Sequence, residues 1–263
     1  MKYFNSLLTL VALLSIAPVS TSSAANAIER VTNRYALNPD GRVQLENFNG
    51  RVVVRAWDGA GVTLEAIKEG RTAEVVAGIK INVQSTPELL KVKTELAKVK
   101  RGWFGSTHEG QVSYTLLAPA GAKLDGIESV NGEVAVEGMR GPIKVSTVNG
   151  NINIHGLAGA ARISTVNGRI VTEHATLKAG DHLKASSVNG SIEVRIPAGA
   201  GASLTAETVN GTIHSDFAYT STGKISRRSV AARIGDGGAQ LDLETVNGSI
   251  RIRTARDEQA AAK

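Results

Sequence analysis

Six copies of one phrase, Ser/Thr-Val-Asn-Gly-x-Ile/Val, recur between residues 129 and 250. Their corners are Asn131-Gly132, Asn149-Gly150, Asn167-Gly168, Asn189-Gly190, Asn210-Gly211 and Asn247-Gly248, so successive Asn residues stand 18, 18, 22, 21 and 37 apart. The long last gap holds a worn copy, residues 229–234, with Ala231-Ala232 in place of Asn-Gly. A period near 20 is one supersecondary unit stacked on itself.

Asn-Gly between apolar residues also signals a two-residue hairpin, whose flanking residues face each other and share an environment. Here Val precedes every Asn, whereas Glu133, Asn151, Arg169, Ser191, Thr212 and Ser249 follow the Gly. That asymmetry fits a corner better than a hairpin. Three residues after each Asn stand Val134, Ile152, Ile170, Ile192, Ile213 and Ile250. Like residues at like offsets are what stacked coils require, because each side chain then lies over its copy in the next rung.

The pattern predicts an all-β chain whose body is a single-stranded parallel β-solenoid (β-helix) of about seven coils, with an irregular N-terminal β cap. A meander of hairpins is the competing architecture. In the solenoid, Val130, Val148, Val166, Val188, Val209 and Val246 are expected to form one buried column, and the worn copy a rung. Each corner Gly is expected to supply a positive φ, and the Asn amides to hydrogen-bond along the stack. Aromatics are only 4% of the chain, so the core must rest on aliphatic columns, each buried Val or Ile contributing about 1.5–3 kcal/mol.

Residues 1–27 read as an export signal: Lys2, an apolar run over 7–17 too short to span a bilayer, then small residues at Ala25 and Ala27. Residues 28–122 form the cap region, 123–254 the repeats and 255–263 a disordered tail. After the signal no long apolar stretch follows, so no membrane span is expected and the mature chain belongs in the periplasm, at the cell surface or outside the cell. A formal charge of +6, dispersed along an exported chain, argues against a nucleic-acid partner. The absence of Cys excludes a disulfide framework and thiol catalysis.

Within the cap region, residues 46–52 resemble a coil with Phe48 in the Val position. Strands are expected over 62–66, 79–83, 90–96 and 112–117, and 71–77 could hold a short helix. Lys98, Lys100 and Arg101 precede Trp103 and Phe104, two large aromatics between glycines. This loop is the candidate binding site, suited to an envelope component that is a protein, a glycan or a lipid surface; the bland alternative is that the aromatics plug the cap.

Six residues after each Asn the column reads Glu137, His155, Glu173, Arg195 and Asp216, a predicted salt ladder. Glu137, His155 and Glu173 are also a candidate metal set, although a flat row lacks the convergence a metal needs. Three residues before each Asn, Glu128, Glu207 and Glu244 read as scattered carboxylates with no adjacent pair for acid-base work. No catalytic motif and no cofactor-binding motif is present.

Phe48-Asn49-Gly50 with Trp57-Asp58-Gly59, then Tyr114-Thr115-Leu116-Leu117-Ala118-Pro119, then Ile234-Gly235-Asp236-Gly237-Gly238 before the final Thr245-Val246-Asn247-Gly248, resembles the bacterial putative-adhesin family of exported β-solenoid proteins. The resemblance covers nearly all of the mature chain and its motifs are architectural. It implies a non-enzymatic cell-envelope protein, an adhesin-like binding or scaffold solenoid, with no catalytic residue to carry over. The alternative is a carbohydrate-active enzyme on the same fold, a polysaccharide lyase or hydrolase.

Overall fold

The computed structural model describes residues 26–100 and 106–255. The first part of the chain runs β1 (Ala27–Tyr35), β2 (Arg42–Asn49), β3 (Val52–Trp57), β4 (Val62–Gly70), α1 (Ala73–Gly78), β5 (Lys80–Thr86), β6 (Leu89–Glu95), β7 (Ala97–Lys100), β8 (Ser106–Glu109) and β9 (Gln111–Pro119). The helix starts at Thr72, whose hydroxyl accepts from the Val75 amide, as an N-cap does. Then two strands flank each Asn-Gly corner: β10 (Lys123–Asn131) and β11 (Val134–Glu137), β12 (Ile143–Asn149) and β13 (Ile152–Leu157), β14 (Ala161–Asn167) and β15 (Ile170–His174), β16 (His182–Asn189) and β17 (Ile192–Ile196), β18 (Ala202–Asn210) and β19 (Ile213–Ser215). After β20 (Tyr219–Ile225) and β21 (Ser229–Ile234), the last corner joins β22 (Ala239–Asn247) to β23 (Ile250–Thr254).

Each corner sends the chain from one sheet into the other, so Asn-Gly closes no hairpin. The strands before the corners build an eleven-stranded sheet, β20-β21-β18-β22-β16-β14-β12-β10-β2-β6-β5. The strands after the corners build a ten-stranded sheet, β1-β4-β9-β3-β11-β13-β15-β17-β23-β19. Ile127, Val145 and Ile163 from the first sheet meet Val134, Ile152 and Ile170 from the second, all buried in one continuous core. Alternation puts every second side chain inward, and like residues stack because the rungs pair in register.

Both sheets are mixed, which corrects the expectation of a purely parallel, single-stranded solenoid. At the cap end, β1 and β9 pair antiparallel with β4, and β5 pairs antiparallel with β6. At the other end, the worn copy is no parallel rung: β21 runs antiparallel to both β18 and β20 and covers the end of the eleven-stranded sheet. Without Asn-Gly that copy cannot turn a stacked corner, and its alternating Val230, Ala232 and Ile234 bury equally well in an antiparallel strand. Such a cover also hides a sheet edge that would otherwise pair with another chain.

Strand order departs from sequence order. The last coil, β22 and β23, lies between the coil of β16 and β17 and the coil of β18 and β19. The chain leaves one slot open, builds the antiparallel end, and returns to fill the slot, which accounts for the 37-residue spacing of Asn210 and Asn247. The coil nearest the C-terminus is therefore paired on both sides.

The corners correct two further expectations. The six Val residues before Asn point outward: Val148, Val166, Val188, Val209 and Val246 are 40–56% exposed and Val130 is half-buried. The inward residue is the Ser or Thr one place earlier, with Ser129, Thr147, Thr165, Ser187, Thr208 and Thr245 only 4–6% exposed. At five of the six corners the hydroxyl donates to the corner Gly carbonyl of the neighbouring rung: Thr147 to Gly132 (3.4 Å), Thr165 to Gly150 (3.2 Å), Ser187 to Gly168 (3.2 Å), Thr245 to Gly190 (2.8 Å) and Thr208 to Gly248 (2.8 Å), whereas the Ser129 hydroxyl has no partner among the described residues. At the first coil Asn47 takes the position and its amide reaches the Gly50 carbonyl (3.3 Å). Thr165→Val keeps the shape and removes the donor, so it should lower the unfolding free energy by about 1 kcal/mol. A urea titration with an unchanged midpoint would show that the hydroxyl contributes nothing.

The six repeat glycines do not adopt positive φ; among the corners only Gly50 does, at 112°. Glycine is required there for another reason. A Cβ on Gly132, Gly150, Gly168, Gly190, Gly248 or Gly211 would lie inside the van der Waals radius of the carbonyl oxygen of the neighbouring corner Gly. The Asn ladder does form: side-chain amides link Asn49, Asn131, Asn149, Asn167, Asn189, Asn247 and Asn210 in that order, at 2.7–2.9 Å. Its order independently traces the inserted last coil.

Candidate functional site

Beside the Asn ladder, the outer face of the eleven-stranded sheet carries the exposed residues Phe48, Val148, Val166, Val188, Val246 and Val209 and the half-buried Val130, on seven consecutive rungs. At about 4.8 Å per rung this stripe is roughly 29 Å long. Next to it runs a column of Glu46, Glu128, Ser146, Ser164, Ser186, Glu244 and Glu207. Shallow grooves lie between the two columns at either end, one flanked by Phe48, Lys93 and Ser146, the other by Val209, Ser186 and Arg228.

One strand position further out, Lys144, Arg162 and Lys184 stand opposite one another on β12, β14 and β16. Lys184 reaches Glu244 at 3.8 Å, while Lys144 and Arg162 make no ion pair among the described residues. The acids in register beyond each end of this row are turned elsewhere: Asp125 to Gln44 (3.3 Å) and Arg42 (3.8 Å), and Asp242 to His182 (2.7 Å).

The outer face of the ten-stranded sheet differs. Arg55 binds Glu137 at 2.9 Å, His155 lies 3.8 Å from Glu173, and Arg195 bridges Glu173 (3.3 Å) and Glu193 (2.8 Å). Glu193 points outward yet is nearly buried beneath Arg169 and Arg195. Burial pushes its carboxyl up, but the hydrogen bonds and charges of the two guanidinium groups outweigh this and hold it below the ordinary carboxylate range. Of the predicted ladder residues, His155, Glu173 and Arg195 thus lie in one network of charged groups, Glu137 pairs separately with Arg55, and Asp216 lies 3.3 Å from His214. Glu137, His155 and Glu173 are not gathered as a metal set: no group of three metal-ligating side chains converges among the described residues, and Arg55 and Arg195 take up the two carboxylates.

Register corrects the reading of the carboxylates as isolated. Glu128 lies beside Glu46, and the inserted coil sets Glu244 beside Glu207. Neither pair makes a hydrolytic site. For Glu46 burial raises the carboxyl slightly, but hydrogen bonds from Lys93 and Lys91 bring it below its ordinary value, the wrong direction for a general acid. Glu207 and Glu244 are both exposed, without the apolar surround that sets an acid apart from a nucleophile.

Of the cap-loop candidates, Arg101, Trp103 and Phe104 lie outside the described residues. Lys98 is exposed on β7 opposite His108, and Lys100 pairs along the backbone with Ser106. Lys98 and His108 line one depression with Phe48, whose ring lies 6.5 Å from that of His108. The base of the predicted loop therefore meets the end of the valine stripe. The stripe itself was missed because Val was assigned inward; its signal was present in the invariance of Val at a corner where Ser or Thr is equally invariant.

No helix among the described residues is long and apolar enough to cross a membrane. Among curated proteins none matches the chain. It is similar in structure to a putative cell adhesion protein from Clostridium sporogenes, with 9% identity, 87% of this chain and 100% of that chain covered and a TM-score of 0.49. It is similar to a putative adhesin from Bacteroides fragilis, with 14% identity, 85% and 97% covered and a TM-score of 0.45. A third likeness is to a putative lipid binding protein from Parabacteroides distasonis, with 12% identity, 85% and 96% covered and a TM-score of 0.27. The family model Toastrack DUF4097 matches residues 80–253. The chain, with its stacked Val-Asn-Gly corners, belongs to the Toastrack DUF4097 family.

Proposed function

We propose that this is a non-enzymatic protein of the bacterial cell envelope, exported to the periplasm or cell surface, which binds another envelope component through the outer face of its eleven-stranded sheet. The observation that carries the reading is the stripe from Phe48 to Val209, apolar on seven adjacent rungs and exposed on six of them. Scattered exposed valines need no explanation, but a contiguous apolar strip edged by polar groups marks an interaction surface. In the same reading the surface continues into the cap as far as Lys98, which lines one depression with Phe48, and the proposed loop residues Lys100, Arg101, Trp103 and Phe104 follow Lys98 in sequence. The names of the structural relatives, cell adhesion and lipid binding among them, agree with binding rather than catalysis.

Replacing Val148, Val166 and Val188 together by Thr keeps the β-branched shape and adds a hydroxyl to each side chain. Binding of the mature protein to a washed envelope fraction should fall at least about tenfold, while Tm moves by no more than about 3 °C, since exposed side chains contribute little to the core. Unchanged co-sedimentation of the triple variant would end the assignment of this face.

A further inference from the structure

We infer that the three central rungs of this face, on β12, β14 and β16, form a binding panel for an acidic polysaccharide. The inference rests on the binding role proposed for the sheet and names its ligand chemistry. Across each of these strands the outward residues repeat one order: cation, hydroxyl, valine, asparagine. They are Lys144, Ser146, Val148 and Asn149, then Arg162, Ser164, Val166 and Asn167, then Lys184, Ser186, Val188 and Asn189.

The charge is the decisive feature. Like charges directly opposite on neighbouring strands destabilise a sheet. This chain stacks three, and on these rungs it places serine where the outer rungs carry Glu46, Glu128, Glu244 and Glu207. No carboxylate lies on β12, β14 or β16. Other cations on the two sheets are matched, as in Arg55 with Glu137 or Lys91 and Lys93 with Glu46, and where like charges lie opposite elsewhere, Lys123 with Arg42 or Arg195 with Arg253, they come as two and not three. An anionic chain laid along the solenoid axis would supply the counter-charge that Lys144 and Arg162 lack and would share Lys184 with Glu244, with Asp125 and Asp242 limiting the panel to three rungs.

The form of the panel selects a glycan. Its rungs repeat at about 4.8 Å, close to the advance of an extended polysaccharide per sugar. Each sugar would offer a carboxylate or sulfate to a cation, hydroxyls to the Ser and Asn columns, and an apolar ring face to a valine. A lipid surface calls for side chains that protrude and insert, whereas these valines lie on a flat strand at 40–41% exposure between polar columns. A folded protein partner calls for aromatic or arginine anchors in desolvated pockets, whereas the panel has no aromatic and its one arginine, Arg162, is exposed on a flat strand.

The test uses the mature full-length chain and affinity electrophoresis in gels containing polygalacturonate, dextran sulfate or neutral dextran, beside flotation with vesicles of phosphatidylglycerol and phosphatidylethanolamine. Retardation by the two acidic polymers and not by dextran is expected, weakening as salt rises. K144Q, R162Q and K184Q together should weaken it at least about tenfold, whereas K123Q, R251Q and R253Q together, an equal loss of charge, should change it less than about threefold. Equal losses in both triple variants would reduce the effect to overall charge and overturn the panel. Flotation with the vesicles in place of gel retardation would overturn it in favour of a lipid surface. If the charge triple leaves envelope binding intact while the valine triple abolishes it, the binding face stands and the acidic glycan falls. If neither triple affects envelope binding, both readings fall.

Discussion

Gly168→Ala is expected to lower stability by at least about 3 kcal/mol, a fall in Tm of roughly 6–12 °C for a chain of this size. The cause is the backbone of the next rung and not φ. A methyl group on Gly168 would overlap the carbonyl of Gly150, and that carbonyl is held by the Thr165 hydroxyl. Relief would require two rungs to separate, breaking the in-register pairing of β12 with β14 and the hydrogen bond that the Asn167 side-chain amide donates to Asn149 Oδ1. Gly199→Ala is the matched control, because nothing lies within 4 Å of its added Cβ and its φ is not positive. It should be neutral or stabilising by a few tenths of a kcal/mol, through the lower entropy of the unfolded chain. Thermal melts that place the two variants within 2 °C of each other, a margin of about 1 kcal/mol or less, would remove close packing as the reason for glycine at these corners.

Acid should destabilise the protein through His174. This residue ends β15 on its inward side, opposite Leu157, and both ring nitrogens lack a hydrogen-bond partner among the described residues. Burial pushes the imidazole from its ordinary 6.5 down to about 4, with the charge of Asp181 pulling weakly the other way. Below pH 6.5 an unfolded His174 takes up a proton that the folded one refuses, so stability is complete above that pH and is lost as pH falls towards 4. The loss reaches about 3 kcal/mol at pH 4 and about 2 kcal/mol at pH 5. His174→Leu removes both the titration and the two unpaired nitrogens, so the variant should exceed the parent most at pH 5 and least at pH 7. Urea titrations across that range with equal slopes for the two chains would show that His174 is not the acid-sensitive group.

Several features were legible in order along the chain. The strands of the cap were visible because Val62, Leu64 and Ala66, or Val112, Tyr114 and Leu116, alternate with polar residues as half-buried strands must. β1 was not, since its residues Ala27 to Tyr35 are mostly exposed and show no such alternation. It is held instead by backbone pairing with β4 along its whole length. The binding panel could be assembled only after the rungs were in register, because Lys144, Arg162 and Lys184 are distant in sequence and meet as neighbours through β12, β14 and β16.

By itself, the repeated Val-Asn-Gly phrase determined that this chain is all-β and that its repeats stack as like rungs with Asn and Gly at the corners. Only side chains lying over their own copies keep such a phrase in phase. Tertiary structure decided which residue of the corner faces the core and in what order the coils stand. A corner breaks the two-residue alternation, so either Val or Thr could be inward by pattern alone. Thr wins because its hydroxyl finds a carbonyl on the adjacent rung, a partner that no single rung contains. The place of the last coil is likewise set by its pairing with β16 on one side and β18 on the other, neighbours that sequence order does not name.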